Sequence, residues 1–370
     1  MLRSIEKSKP TNQNRRDSVT KLSIIIKYNH SAIRKRTKHT SRAVCSRYYP
    51  PKIIKMPSNQ PQQDIGTLLV QVTQVTADVI VVLLQILYSI VLSLGRLVIQ
   101  KQPKSVRGEI VLITGAGHGM GKELSLLYAS EGATVVAWDI SEKTGLQTVK
   151  EIAQKGYPKA HFFKCDVSNR DEVLRVAKET QDKVGDVTIL FNNAGIMPTH
   201  PFLEHTKDEV ERIMNINVMA HFWTLEAFLP VMKKQNYGHV VTLSSCAGLL
   251  GIPNLVPYCC SKFAVRGMME ALYQEFRQDK KNEVKFTTIC PYMVDTGLCK
   301  KPVIRFENAM KLVDPLDAAR EIMNAQRLEL REITIPRYLY YWQFVLRMLP
   351  EKAQGYIGDF LSVGLESDLS

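Results

Sequence analysis

The residues best suited to chemistry lie between Leu243 and Lys262, in LSSCAGLLGIPNLVPYCCSK. Tyr258 and Lys262 stand four apart, so on a helix they share one face and an ammonium can sit beside a phenol. A free phenol has a pKa of about 10, too high to take a proton efficiently near neutrality, and a fixed neighbouring cation lowers it. Tyr258 is therefore a candidate base. Ser245, thirteen residues upstream of Tyr258, follows the β-branched run HVVTL and is expected at a strand end. From there its hydroxyl can point at the oxygen that the tyrosine serves. YxxxK alone is common on solvated helices, so the elements around it decide its meaning.

The first of those elements is EIVLITGAGHGMGKELSLLYASEGATVVAWDI, from Glu109 to Ile140. A strand over Ile110 to Thr114 runs into glycines 115, 117, 119 and 121, then into a helix with Leu124, Leu127 and Tyr128 that stops at Gly132. A second strand, Thr134 to Trp138, closes on Asp139. Glycines let backbone amides approach a pyrophosphate, and the helix N-terminus they open favours its charge. The strand-glycine-helix setting with an acid closing the next strand marks a dinucleotide site. The Asp139 carboxylate can accept both ribose hydroxyls of NAD, whereas a 2′-phosphate would meet like charge. At about 4 Å near a surface that repulsion is roughly 1 to 4 kcal/mol, or about tenfold to a thousandfold in preference. Neither His118 nor Ile140 supplies a fixed cation to offset it.

With TGAGHGMG at Thr114 to Gly121, NNAG at Asn192 to Gly195, and Ser245, Tyr258 and Lys262 in that order, the chain resembles the short-chain dehydrogenase/reductase family over residues 108 to about 335. Within it, the chain is similar to the membrane-anchored branch of epidermal retinol dehydrogenase and the lipid-droplet 17-beta-hydroxysteroid dehydrogenases. WDI after the second strand, CPYMVDTG at Cys290 to Gly297 and IPRYLYYWQFVLRMLP from Ile335 carry that similarity. The resemblance implies a doubly wound, Rossmann-type α/β fold with a parallel sheet. It places Gly115, Gly119, Met120 and Gly121 around the pyrophosphate, Asp166 and Val167 beside the adenine at the close of the strand HFFKCDV, and Asn193, Ala194 and Gly195 under the ribose. Pro291, Val294 and Thr296 match the loop that clasps the nicotinamide carboxamide. Tyr292 departs from the glycine many members carry. Asn217 matches a helix asparagine that props a water on the lysine side of a proton relay. Tyr258 would take the alcohol proton as NAD accepts the hydride, Ser245 would hold the substrate's carbinol oxygen, and Lys262 would bind ribose and hold the phenol's pKa down. NADP is the less favoured cofactor.

Charge divides the rest of the chain. Residues 1–56 hold fifteen Lys and Arg against Glu6 and Asp17, a surplus of thirteen that equals the formal charge of +13, so the remainder is neutral. A basic tail on a neutral body is an appendage, expected to be mostly disordered. It can touch anionic membrane or RNA, but a body without a basic stripe makes nucleic acid an unexpected partner. Met56 can serve as a second start. Residues 57–107 are expected to form a membrane anchor: from Val79 to Gly95 seventeen residues are almost wholly apolar, and Asp78 is placed at the interface, before the buried part. Arg96, Lys101, Lys104 and Arg107 follow at headgroup level, with the body facing the cytosol at the endoplasmic reticulum or a lipid droplet. Residues 108–335 form the catalytic domain, in which DPLDAAREIMNAQRLEL from Asp314 has amphipathic helical spacing. The apolar, aromatic segment 336–370 either covers the substrate mouth or rests on the membrane. Seven cysteines, an odd number without CxxC or Cys/His zinc spacing, read as reduced core thiols, and no metal is expected. These features suit a lipophilic alcohol such as a retinol or a steroid. An NADP-dependent carbonyl reductase and a non-catalytic lipid-droplet scaffold stay open, as does the assembly state, with a homodimer as the form to test.

Overall fold

Short runs of Val, Ile, Leu and Phe form the central strands, because both faces of a parallel sheet are covered and nearly every position along those strands is buried. The computed structural model describes residues 65–98, 101–306 and 310–369. The basic tail lies outside the described residues. β1 (Ile110–Thr114), β2 (Thr134–Asp139), β3 (Ala160–Lys164), β4 (Ile189–Asn192), β5 (His239–Leu243), β6 (Lys285–Pro291) and β8 (Glu332–Ile335) pair in the order β3-β2-β1-β4-β5-β6-β8. All six pairings are parallel, with Leu112 opposite Val136 on one side and Leu190 on the other. The strand order reverses between β1 and β4, which opens a crevice at the carboxyl ends of the strands.

Successive side chains on β1 alternate between two cores. Val111 and Ile113 pack with Leu124 and Tyr128 of α2 (Gly119–Ser130), Ile152 of α3 (Glu142–Gln154) and Ile322 of α8 (Pro315–Arg327). Leu112 packs on the opposite face with Val173 of α4 (Arg170–Lys183), Phe228 of α6 (Ala220–Gln235) and Met269 of α7 (Val256–Phe276). Between α5 (Lys207–Met214) and α6 the chain makes a π-helical turn, Asn215–Met219, and it is this turn that carries Asn217. β3 ends at Lys164, so Asp166 and Val167 stand just beyond the strand instead of closing it. The chain leaves the ladder at Cys165, whose amide turns back to the Asp139 carbonyl at 3.0 Å.

Past β8, α9 (Tyr338–Met348) and α10 (Glu351–Leu361) lead to β9 (Val363–Leu365), which pairs antiparallel with β7 (Pro302–Ile304). Residues 94–370 form one compact unit. α1 (Ile65–Val98), all but the last turn of which belongs to the other unit, is a helix of 34 residues whose stretch Ile65–Gly95 is long and apolar enough to cross a membrane. At 1.5 Å per residue it is about 50 Å long. It runs unbroken through Asp78. The hydroxyls of Thr73, Thr76 and Ser89 donate back to the carbonyls of Leu69, Val72 and Gln85 at 2.7–2.8 Å, which hides their polarity within the helix.

Candidate active site

The glycine turn is built by close approach of backbones. Gly115 (φ +67°) and Gly119 (φ +53°) lie in the left-handed region, and a Cβ on Gly121 would fall 2.1 Å from the Gly115 carbonyl oxygen. Such a backbone cradle at the start of α2 fits a pyrophosphate. Asn193 locks the cradle to β4: its side-chain amide donates to the Thr114 carbonyl at 2.8 Å, and the amides of Asn193 and Ala194 donate to the Thr114 hydroxyl at 3.0 and 3.1 Å. Asp139 ends β2 with one carboxylate oxygen accepting from the Gly117 amide and the other from the Ser141 amide, each at 2.8 Å. Asp166 accepts from the amide and hydroxyl of Ser168, with Val167 buried beside it. Met120, Asn193, Gly195, Pro291, Val294 and Thr296 all line the adjoining cavity. His118 ties the turn to the 291–296 loop through a 2.9 Å contact between its Nε2 and the Thr296 carbonyl.

Ser245, Tyr258 and Lys262 meet at the end of β5. Ser245 caps a 3-10 turn, Cys246–Gly248, its hydroxyl accepting from the Ala247 amide at 3.1 Å. α7 begins with Pro257 in its first turn and carries Tyr258 and Lys262 on one buried face. The Lys262 ammonium donates to the Leu243 carbonyl at 2.8 Å and lies 5.5 Å from the Tyr258 ring centroid. A Cβ on Gly195 would come 3.6 Å from that ammonium and 3.3 Å from the Asn217 side-chain oxygen, which places all three together. Asn217 is fully buried. Its Oδ1 accepts from the Ile196 amide at 2.9 Å, while its Nδ2 donates to the Ile196 carbonyl at 2.9 Å and to Ser261 Oγ at 3.1 Å. Both amide protons are thereby committed.

Burial governs the titration of the pair. It pushes the Tyr258 phenol above its usual value, outweighing the hydrogen bond with Ser245 that pulls it down, and it draws Lys262 down to about 8. The lowered phenol expected from the sequence is thus reversed here: the ammonium is directed at the Leu243 carbonyl, and desolvation acts against both charges. His221, on the first turn of α6, is a neutral neighbour that sequence reasoning missed. Burial, and then the Lys262 charge, pull it to about 3.

Ser245 and Tyr258 open into a cavity of about 830 Å³ walled by Leu249, Ile252, Trp342, Leu346 and Ile357. The segment after β8 therefore supplies part of the cavity wall. Cys246 and Cys299 also line it, their thiols pushed by burial to about 12 and about 11, so they act as apolar wall.

A family profile described as short chain dehydrogenase matches residues 109–303. The chain belongs to the short-chain dehydrogenase family. Mouse epidermal retinol dehydrogenase 2 is 40% identical over 72% of this chain and 86% of its own length. Human 17-beta-hydroxysteroid dehydrogenase 13 is 34% identical over 78% and 95%. Among solved structures, a short chain dehydrogenase/reductase from Burkholderia phymatum in complex with NAD superposes with a TM-score of 0.60 at 27% identity, covering 66% of this chain and 94% of that one. This family member is thus an oxidoreductase that uses a nicotinamide cofactor.

Two cavity residues carried no sequence signal as polar groups. Tyr292, the departure from glycine, is held by its amide on the Ile335 carbonyl at 2.8 Å and lines the cavity. Its hydroxyl and the Gln343 side-chain nitrogen are buried without a hydrogen-bond partner. Gln343 sits within an aromatic run that reads as apolar, so only the fold reveals that it faces the cavity.

Proposed function

We propose that the chain is a membrane-anchored, NAD-dependent dehydrogenase of lipophilic alcohols of the retinol or hydroxysteroid kind. The observation that carries this reading is the large apolar cavity that ends on Ser245 and Tyr258. A mostly apolar lining and a volume of about 830 Å³ support a hydrocarbon body with one hydroxyl at the reacting end. Tyr292 and Gln343 offer a buried donor or acceptor to a second polar group on the substrate, which would satisfy them in turn.

When bound, the nicotinamide takes up or delivers the hydride. The chain does the rest. Ser245 Oγ holds the carbinol oxygen, and Tyr258 Oη moves the proton. In the alcohol direction the phenol must first ionise, which the Lys262 ammonium favours only by approaching more closely than it lies here. Lys262 also reaches the ribose, and Asn217 holds a water behind it. Gly115, Gly119, Met120 and Gly121 receive the pyrophosphate, Asp166 and Val167 the adenine, and Pro291, Val294 and Thr296 the carboxamide. Asp139 supports NAD over NADP because its charge would oppose a 2′-phosphate.

α1 supplies the anchor in the endoplasmic reticulum or lipid-droplet membrane, with the catalytic part facing the cytosol. The exposed aromatic side chains of α9 and α10, Tyr341 and Tyr356 among them, support a surface contact beside the cavity mouth. The test is a panel of retinoid, steroid and fatty alcohols on membranes holding the full chain, with each cofactor. Reduction of NAD by one of these classes is expected. Turnover confined to NADPH and small polar carbonyls would contradict the reading.

A further inference from the structure

Where the segment after β4 meets the first turn of α5 lies a side-chain cluster that the dehydrogenase chemistry leaves unused. His200, His205 and Glu209 bring one ligating atom each to within 4.8 Å of one another. His200 Nε2 lies 3.1 Å from one Glu209 oxygen, His205 Nδ1 lies 3.9 Å from the other, and the two imidazole centroids are 4.4 Å apart. Only 6% of the His200 side chain and 1% of the His205 side chain are exposed. Yet His200 Nδ1 and both ring nitrogens of His205 have no hydrogen-bond partner; the His200 backbone lies near the latter without reaching bonding geometry. A neutral imidazole has one donor and one acceptor, and burying both unmatched costs free energy. Two histidines stacked as ordinary packing would each pair a ring nitrogen with a protein group. Only His200 Nε2 is so paired, with Glu209.

We propose that His200, His205 and Glu209 bind a divalent transition metal of the zinc type. Two imidazoles and a carboxylate are a zinc ligand set, and three protein ligands leave the fourth position to water. Zinc bonds of roughly 2.0–2.1 Å at tetrahedral angles put ligand atoms about 3.4 Å apart, a spacing that the 3.1 and 3.9 Å separations bracket. Small side-chain shifts close the set. None of the three lines the substrate cavity, but Met197, three residues before His200, does. The same segment is tied at the His200 amide to the Asn254 carbonyl (3.0 Å) and at the Thr199 carbonyl to the Asp368 amide (2.7 Å). The metal therefore pins a cavity wall to the start of α5 and takes no part in hydride transfer. Cysteine spacing could not signal this set, which contains no cysteine.

Full-length protein, loaded with zinc and dialysed against metal-free buffer, should retain about one zinc per chain by elemental analysis. Adding zinc to the stripped protein should raise Tm by roughly 5 °C at a hundredfold excess over Kd. His205→Ala and Glu209→Gln should each cut retained zinc to below about a tenth and abolish the Tm rise, whereas His161→Ala on β3 should change neither. Glutamine preserves the capping role of Glu209 in the box with Thr206, so that variant folds even where His205→Ala does not. A wild-type chain that retains no zinc and shows no Tm rise overturns the proposal. So does undiminished zinc in Glu209→Gln.

Discussion

The cofactor end and the substrate end of the crevice are built on different principles. At the cofactor end, Thr114, Asp139, Asn193 and Ser141 are wired to one another through main-chain groups at 2.8–3.1 Å. At the substrate end, Tyr292 and Gln343 keep buried polar atoms without partners, and burial displaces Tyr258 and Lys262 from their ordinary titration ranges. One end is satisfied before anything binds; the other holds desolvated groups in readiness. A site of the first kind stabilises the fold, while one of the second kind costs stability for the sake of chemistry.

Lys262→Met is the harshest way to break that contrast, and it should raise stability while removing function. Below pH 8 the folded chain holds a buried ammonium that the unfolded chain keeps in water, so folding bears its desolvation. Between about 8 and 10.5 the folded state releases its proton first and stability rises with pH, until the cost is gone. Losing the partner of the Leu243 carbonyl offsets part of the gain. The variant should lose roughly a hundredfold or more in kcat. Near pH 7 it should gain on the order of 1 kcal/mol, about 2–4 °C in Tm by calorimetry, a gain that vanishes above pH 10.5. A Tm that falls at pH 7 would mean that the carbonyl bond outweighs the desolvation.

The cofactor end is sharpened by Asp139→Ser with Ile140→Arg. The wild type should prefer NAD by roughly tenfold or more in kcat/KM, and the pair of changes should reverse that order, since a new cation would meet the 2′-phosphate. An NADPH preference in the wild type would overturn both the cofactor choice and the oxidative direction that goes with it. The smallest effect belongs to Gln343→Leu. For substrates with a second polar group, KM should rise roughly twofold to tenfold, the worth of one net hydrogen bond, while a retinol-like hydrocarbon should be little changed. Equal effects on both substrate kinds would remove Gln343 from recognition.

The same contrast explains what was legible in the sequence. Gly115, Gly121, Asp139 and the strands around them follow from local rules, in which a tight turn, a helix start and a strand end each demand a residue type. Tyr258 and Lys262 were legible as a pair because helical spacing alone puts them on one face. The π turn at Asn217 was not, since the groups that hold its side chain, the Ile196 main chain and Ser261, are distant in sequence and meet it only in the fold. Nor was the end of β3, because HFFKCDV continues to read as strand while pairing with β2 stops at Asp139 opposite Lys164. Gln343 and His205 gain their meaning from burial, which only the tertiary contacts of the C-terminal helices and the β4–α5 segment create.

The central claim is that proton transfer resides in Tyr258 while cofactor binding is wired elsewhere, and Tyr258→Phe measured for both properties tests it most directly. NADH binding, followed by fluorescence titration, should stay within about twofold of wild type, while turnover of the best alcohol should fall to no more than about a hundredth. Retention of more than a few per cent of activity by a variant that binds NADH normally would contradict the assignment.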